Sequence, residues 1–260
     1  NQGVNAMDFA TKVLCATGKT YLFYLGQAGY LIKSKNNQLL GVDLYLSDCV
    51  ERVEGNIGFK RLLPKILNPD DVIVDYLIAT HPHMDHFDMD SIPELVANKG
   101  TRLFVSKNCN QLINCLNLEQ NKICYVQSGD TVHAGDFLLE FVECDHGQAA
   151  PDAVGVVITV DGKKIYMAGD TCLRLDRVSE MKQKGPYDII IGPINGAYGN
   201  MNESEFAEYS IAIGAETIIP CHYGMFASHG GNPGKFLEKM IELNAIKSTY
   251  IMSVGEMSEI

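Results

Sequence analysis

Within six residues, His81-Pro82-His83-Met84-Asp85-His86 sets three imidazoles and a carboxylate. Neutral imidazole nitrogen and carboxylate oxygen are the donors that hold zinc and similar divalent ions. The segment follows an apolar run, Val72 to Ala79, that reads as a strand. At a strand end His81 and His83, two apart, point to the same side. Asp85 and His86 are adjacent and need an irregular turn to face one cavity, so the pattern suits two metals. The bland alternative is a histidine-rich surface loop.

Three later apolar runs also end on ligand chemistry. Phe141 to His146 delivers His146 with Asp145 beside it, and either could be the ligand. Ile165 to Thr171 delivers Asp170 after Gly169, a residue that lets the backbone turn tightly. Ile218 to His222 delivers His222. Metal one is expected to take His81, His83 and His146, and metal two Asp85, His86 and His222. Asp170, with two anionic oxygens, would bridge them. Two divalent cations acidify the water between them toward neutral pH, which makes the expected chemistry metal-assisted hydrolysis. Asp85 is then both ligand and proton acceptor. Cys144, Cys172 and Cys221 lie within two residues of these positions, so thiolate ligation stays open. His133 reads as structural, whereas His229, in a glycine-rich loop, could line a pocket. Asp43 ends a strand and is either a turn aspartate or an acceptor that orients a ligating imidazole.

These residues need a scaffold, and 260 residues with 46% hydrophobic and 20% charged content provide for one large folded domain over 1–260. Lys+Arg number 21 against 32 Asp+Glu, a formal net charge of −11, which disfavours nucleic acid as a partner. Neither a charged-then-apolar leader nor a run of about eighteen apolar residues is seen, so a soluble, cytoplasmic protein without membrane contact is expected. The eight scattered cysteines, without a CxxC pair, read as reduced thiols. Short strands are expected at Thr20–Leu25, Tyr30–Ser34, Gln38–Asp43 and Leu138–Cys144. Asp161-Gly162 should turn a hairpin between Ala153–Val160 and Lys163–Ala168. A capping box at Ser91 and Glu94 predicts a helix ending at Gly100. Asn202 and Glu205, then Asn232-Pro233, predict two further helices, 202–213 and 232–244. The pattern describes two mixed sheets packed together with helices outside.

The HxHxDH motif, the later histidine, Gly169-Asp170-Thr171 and the final histidine resemble the metallo-β-lactamase superfamily. That resemblance implies an α/β (α+β) fold, a four-layer αββα sandwich with two mixed sheets. Asp170 and His86 depart from the zinc β-lactamases that destroy antibiotics, which carry cysteine at the former step. Glyoxalase II, RNase Z and phosphodiesterase branches share the set found here. Leu25 to Ser34, Val42 to Tyr45, Lys60 to Pro64, Asn195 to Met201 and Pro220 to Tyr223 resemble the L-ascorbate-6-phosphate lactonase branch. The match is weakest around Asp145-His146. This branch implies a hydrolase using two Zn2+ or Mn2+ ions on a small-molecule sugar-acid lactone.

For substrate, Lys60 and Arg61 could bind a phosphate, and Asn195, Tyr198 and Tyr223 could orient a sugar. Gly26 to Gly29 lacks the GxxxxGK(S/T) pattern and a following helix, which excludes a nucleotide loop. The expectation is a binuclear metal hydrolase of a small lactone or ester, with phosphodiester hydrolysis as runner-up and a non-enzymatic metal sensor third. A homo-oligomer is compatible with the sequence, which does not fix the oligomeric state.

Overall fold

Residues 8–260 are described by the computed structural model. Helix α1 (Phe9–Cys15) precedes β1 (Tyr21–Gly26), β2 (Gly29–Lys33) and β3 (Leu39–Val42). Then come α2 (Cys49–Glu54), α3 (Asn56–Phe59), β4 (Tyr76–Ala79), α4 (Ile92–Leu95), β5 (Arg102–Ser106), α5 (Asn110–Leu116) and β6 (Ile123–Val126). Strands β7 (Thr131–Ala134), β8 (Phe137–Glu143), β9 (Val154–Val160) and β10 (Lys163–Met167) follow, then α6 (Val178–Lys184) and β11 (Ile189–Pro193). The chain continues through α7 (Glu203–Ile213), β12 (Thr217–Cys221), α8 (Pro233–Glu242) and β13 (Met257–Glu259).

One sheet has the order β13-β1-β2-β3-β4-β5-β6 and the other β12-β11-β10-β9-β8-β7. Both are mixed: β3 to β6 run parallel, as do β10 to β12, and the remaining neighbours are antiparallel. Side-chain alternation explains the layering. In β1, Leu22 and Tyr24 enter the core between the sheets, while Phe23 and Leu25 face the layer holding α1, α4 and α5. In β9, Val154, Val156, Ile158 and Val160 point inward, and Val157 packs toward α6, α7 and α8. The result is the αββα sandwich, with the apolar surface of both sheets covered on each face.

Local chemistry accounts for the element ends. Asp161 and Gly162 both take positive φ, 51° and 83°, as a two-residue hairpin turn demands. Asn202 caps α7 through Ser204 N and Glu205 N, Glu205 completes the box, and Gly214 closes the helix at φ 86°. Gly192 of β11 lets Phe206 lie flat on the sheet; a Cβ there would meet that ring at 2.3 Å.

Two expectations change. The helix from Ser91 is a single turn, and Ser91 makes no cap bond. Asp88 takes over: its buried carboxylate accepts from Leu46 N, Ser47 N, Ser47 Oγ, Asp90 N, Ser91 N and Ser91 Oγ. A charged acceptor outcompetes the hydroxyl and ties the loop after β3 to the loop after β4. The apolar run before the histidine motif is extended only from Tyr76; Val72 and Val74 instead fill the outer core from a loop.

Candidate metal centre

The ends of β3, β4, β8, β10 and β12 lie on one edge of the two sheets, as does the β1–β2 turn. Val154 N donates to Thr80 O at 3.1 Å and joins the two rims. Backbone strain concentrates here: Gln27, Asp43, Tyr198 and His222 all take positive φ, between 48° and 61°. Such conformations persist where the surroundings over-determine them, and they re-aim side chains at strand ends.

Seven expected ligands converge. His81 Nε2 and His146 Nε2 each lie 3.0 Å from His83 Nδ1. Close by, His86 Nε2 is 3.2 Å from His222 Nε2, and Asp85 Oδ2 is 3.3 Å from the same His222 nitrogen. Asp170 stands between the clusters: Oδ1 is 3.3 Å from His86 Nε2, and Oδ2 is 3.0 Å from His222 Nε2 and 3.9 Å from His146 Nε2. His146, not Asp145, joins the set; the Asp145 carboxylate pairs with Arg174 at 2.9 Å. No thiol joins it among the described residues. Cys144 Sγ donates to Asp170 O at 2.9 Å, and burial pushes the Cys144 and Cys221 thiols well up.

Outer contacts orient the rings. Thr80 Oγ1 donates to Asp43 Oδ2 at 2.7 Å and so accepts from His81 Nδ1, 3.0 Å away. His86 Nδ1 donates to the same Asp43 oxygen at 2.8 Å. In its neutral form each ring therefore keeps its proton on Nδ1 and its lone pair on Nε2, the form a metal needs. Asp43 orients imidazoles and is more than a turn residue.

Charge is also arranged for cations. Despite burial, His86 and His222 hold Asp85 and Asp170 well below the usual carboxylate range. Against its own burial, His222 is raised to about 9 by Asp170 and Asp85, and His86 is raised well above its usual value by Asp170, Asp85 and Asp43. On the other side burial depresses His81, and His146 falls to about 4. His81 presents a lone pair among further nitrogens, while His86 and His222 hold protons against the Asp85 and Asp170 carboxylates, so the cluster calls for positive charge at its centre. Divalent cations fit this donor set of nitrogen and oxygen.

Gln27 and Asn200 belong to the site without having been expected there. The buried Gln27 Nε2 donates to Asp85 Oδ2 at 2.7 Å, and Asn200 Nδ2 donates to Asp170 Oδ2 at 2.8 Å. Gln27 lies in the 25–34 stretch and Asn200 in the 195–201 stretch that carry the family resemblance, which was the available signal. His229 lines the cavity, stacks on His222 with ring centres 5.2 Å apart, and could itself add a ligand nitrogen beside Asp85 and His222.

Above the centre is a cavity of about 270 Å³ that reaches His83, Asp85, His146, Asp170 and His222. Of the five expected substrate residues, only Tyr198 lines it. Arg61 is committed to Leu63 O, Tyr45 O and Ser47 O at 3.0, 3.1 and 3.1 Å, with its guanidinium 4.8 Å over the Tyr45 ring. Lys60 is exposed outside the cavity, Asn195 is buried with Nδ2 donating to Ala197 O, and Tyr223 packs toward the helical layer.

A four-layer sandwich with histidines and aspartates gathered at one sheet edge is the architecture of metallo-β-lactamase-fold proteins. Residues 43–223 match the β-lactamase superfamily domain model. One relative, a UPF0173 metal-dependent hydrolase of Ligilactobacillus salivarius, is 30% identical over 67% of this chain and 75% of its own length. The Oenococcus oeni UPF0173 metal-dependent hydrolase is 28% identical over 84% of this chain and 91% of its own. A metallo hydrolase of Ignicoccus hospitalis shares the fold at TM-score 0.71 and 20% identity, over 93% of this chain and 98% of that one. The chain belongs to the β-lactamase superfamily domain family, among the metal-dependent hydrolases. No helix among the described residues is long and apolar enough to cross a membrane.

Proposed function

We propose that this chain hydrolyses a small carboxylic ester or lactone at a pair of divalent cations, Zn2+ or Mn2+. His81, His83 and His146 would hold the first, Asp85, His86 and His222 the second, with Asp170 shared. The observation that carries this reading is the placement of Asp170, an ionised two-oxygen ligand within 3.9 Å of nitrogens from both clusters. Bound divalent cations polarise a carbonyl oxygen and acidify water. The protein's own groups supply the rest. Gln27 and Asn200 hold the carboxylates of Asp85 and Asp170 in place. Asp85 lines the cavity, so its carboxylate can take the proton of an attacking water.

Phosphodiester hydrolysis is the second chemistry such centres perform. It is less well supported, because among the described residues no Lys or Arg lines the cavity to meet a phosphate. Native mass spectrometry of metal-replete protein should find about two divalent ions per chain. A panel of lactones, esters and phosphodiesters should show turnover of the acyl compounds. Turnover confined to phosphodiesters would overturn the reading, and a single tightly held ion would remove its binuclear form.

A further inference from the structure

Away from the candidate ligands, the cavity wall is mostly apolar. Besides the candidate ligands and His229, it consists of Val50, Phe59, Pro82, Met84, Tyr198 and Phe226, with Glu54 the one added charge. The α2–α3 stretch that supplies Val50 and Phe59 also leaves Ile57 92% exposed and Val53 56% exposed. Cations close in sequence are engaged elsewhere or, like Lys60, exposed and outside the cavity lining. Arg52 pairs with Asp90, Lys65 with Asp48, and Arg61 with three backbone carbonyls. A remote phosphate or carboxylate placed here would lose water without gaining a cation, and it would face Glu54. An alkyl or aryl group would instead gain by leaving water.

We infer that the substrate is an uncharged ester or lactone whose non-reacting part is apolar, an alkyl chain or ring seated among Val50, Phe59, Met84, Tyr198 and Phe226. This rests on the reading of the centre as hydrolytic. It replaces a phosphate anchored by Lys60 and Arg61 with apolar contact as the source of specificity.

Binding of product-like carboxylates tests the wall without requiring turnover. Acetate through octanoate are titrated calorimetrically into zinc-loaded protein. The carboxylate can occupy the metal side while the chain fills the cavity. Affinity should rise about two- to fourfold per methylene until the cavity is full. Suberate, which carries a second charge at the far end, should bind roughly tenfold more weakly than octanoate, or worse. Phe59→Ala, at a partly exposed position, should flatten the series. A flat series in the parent protein, or suberate binding as tightly as octanoate, would overturn the inference. Ester hydrolysis is measured in parallel to separate the two readings. Turnover with a flat carboxylate series removes the apolar pocket alone. A sloped series with no ester or lactone turned over removes the hydrolytic reading and leaves the pocket.

Discussion

Replacing Asp43 by Asn is the sharpest test of how this centre is organised. Asp43 Oδ1 accepts from Thr80 N at 2.8 Å, while Oδ2 accepts from both Thr80 Oγ1 and His86 Nδ1. Asn keeps the shape and tolerates the left-handed backbone at φ 48°, so the fold should survive. It has only one acceptor oxygen, however. If that oxygen keeps the Thr80 amide, the new NH2 faces His86 Nδ1. The imidazole must then switch tautomer and put a proton on Nε2, where the metal lone pair belongs. If the amide flips, His86 is served and the Thr80 amide is orphaned. Loss of such an orienting partner weakens metal binding by about 10- to 100-fold, or roughly 1.4–2.7 kcal/mol. Calorimetric zinc titration of the metal-free protein measures it. Repeating the titration in a His146→Ala background isolates the position that includes His86. The reasoning fails if the Asp43→Asn protein, folded by circular dichroism, binds zinc at that position as tightly as the parent. It fails equally if only the His81–His83–His146 position weakens.

Other outcomes follow from the same structure. Asp85→Asn should lower kcat on any ester turned over by roughly two to four decades with the fold retained, even in protein saturated with metal, because the proton acceptor is gone; near-normal kcat at full metal loading would remove that role. Stripping the metals with a chelator should lower Tm. A ligand at 100 times its Kd contributes about 2.7 kcal/mol, or about 5–11 °C for a chain of this size, and scanning calorimetry with and without zinc reads it. Phe206→Ala removes a fully buried ring over Gly192 and should cost about 3–5 kcal/mol in denaturant titration, while the ratio of zinc to folded protein stays unchanged.

The parts legible in the sequence are those whose chemistry is local. The histidine motif declares itself within six residues, and Asn202 with Glu205, Gly214 and Asp161-Gly162 mark their turns because a cap or hairpin is decided by neighbours in the chain. Ser91 and Glu94 mislead for the opposite reason. A competitor three residues earlier, Asp88, takes the amides, and its strength comes from the 46–47 loop folded against it. Arg61 looks like a free cation in sequence, yet carbonyls at 45, 47 and 63 engage its Nε and Nη1. Beyond the resemblance of the stretches they lie in, Gln27 and Asn200 carry no local signature, since each acquires a role only when the two sheets come together around Asp85 and Asp170. Asp43 left two readings open, and only the positions of Thr80 and His86 distinguish them.

That the centre straddles both sheets also imposes an order on its assembly during synthesis. His86 and His222 sit 3.2 Å apart in the folded protein but 136 residues apart in the chain. At a ribosomal pace of about 5–20 residues per second, the first histidine cluster emerges some 7–27 s before its last partner exists. Over that interval the nascent chain carries His81, His83, Asp85 and His86 without their partner from the second sheet, so no earlier length of chain can present the complete donor set.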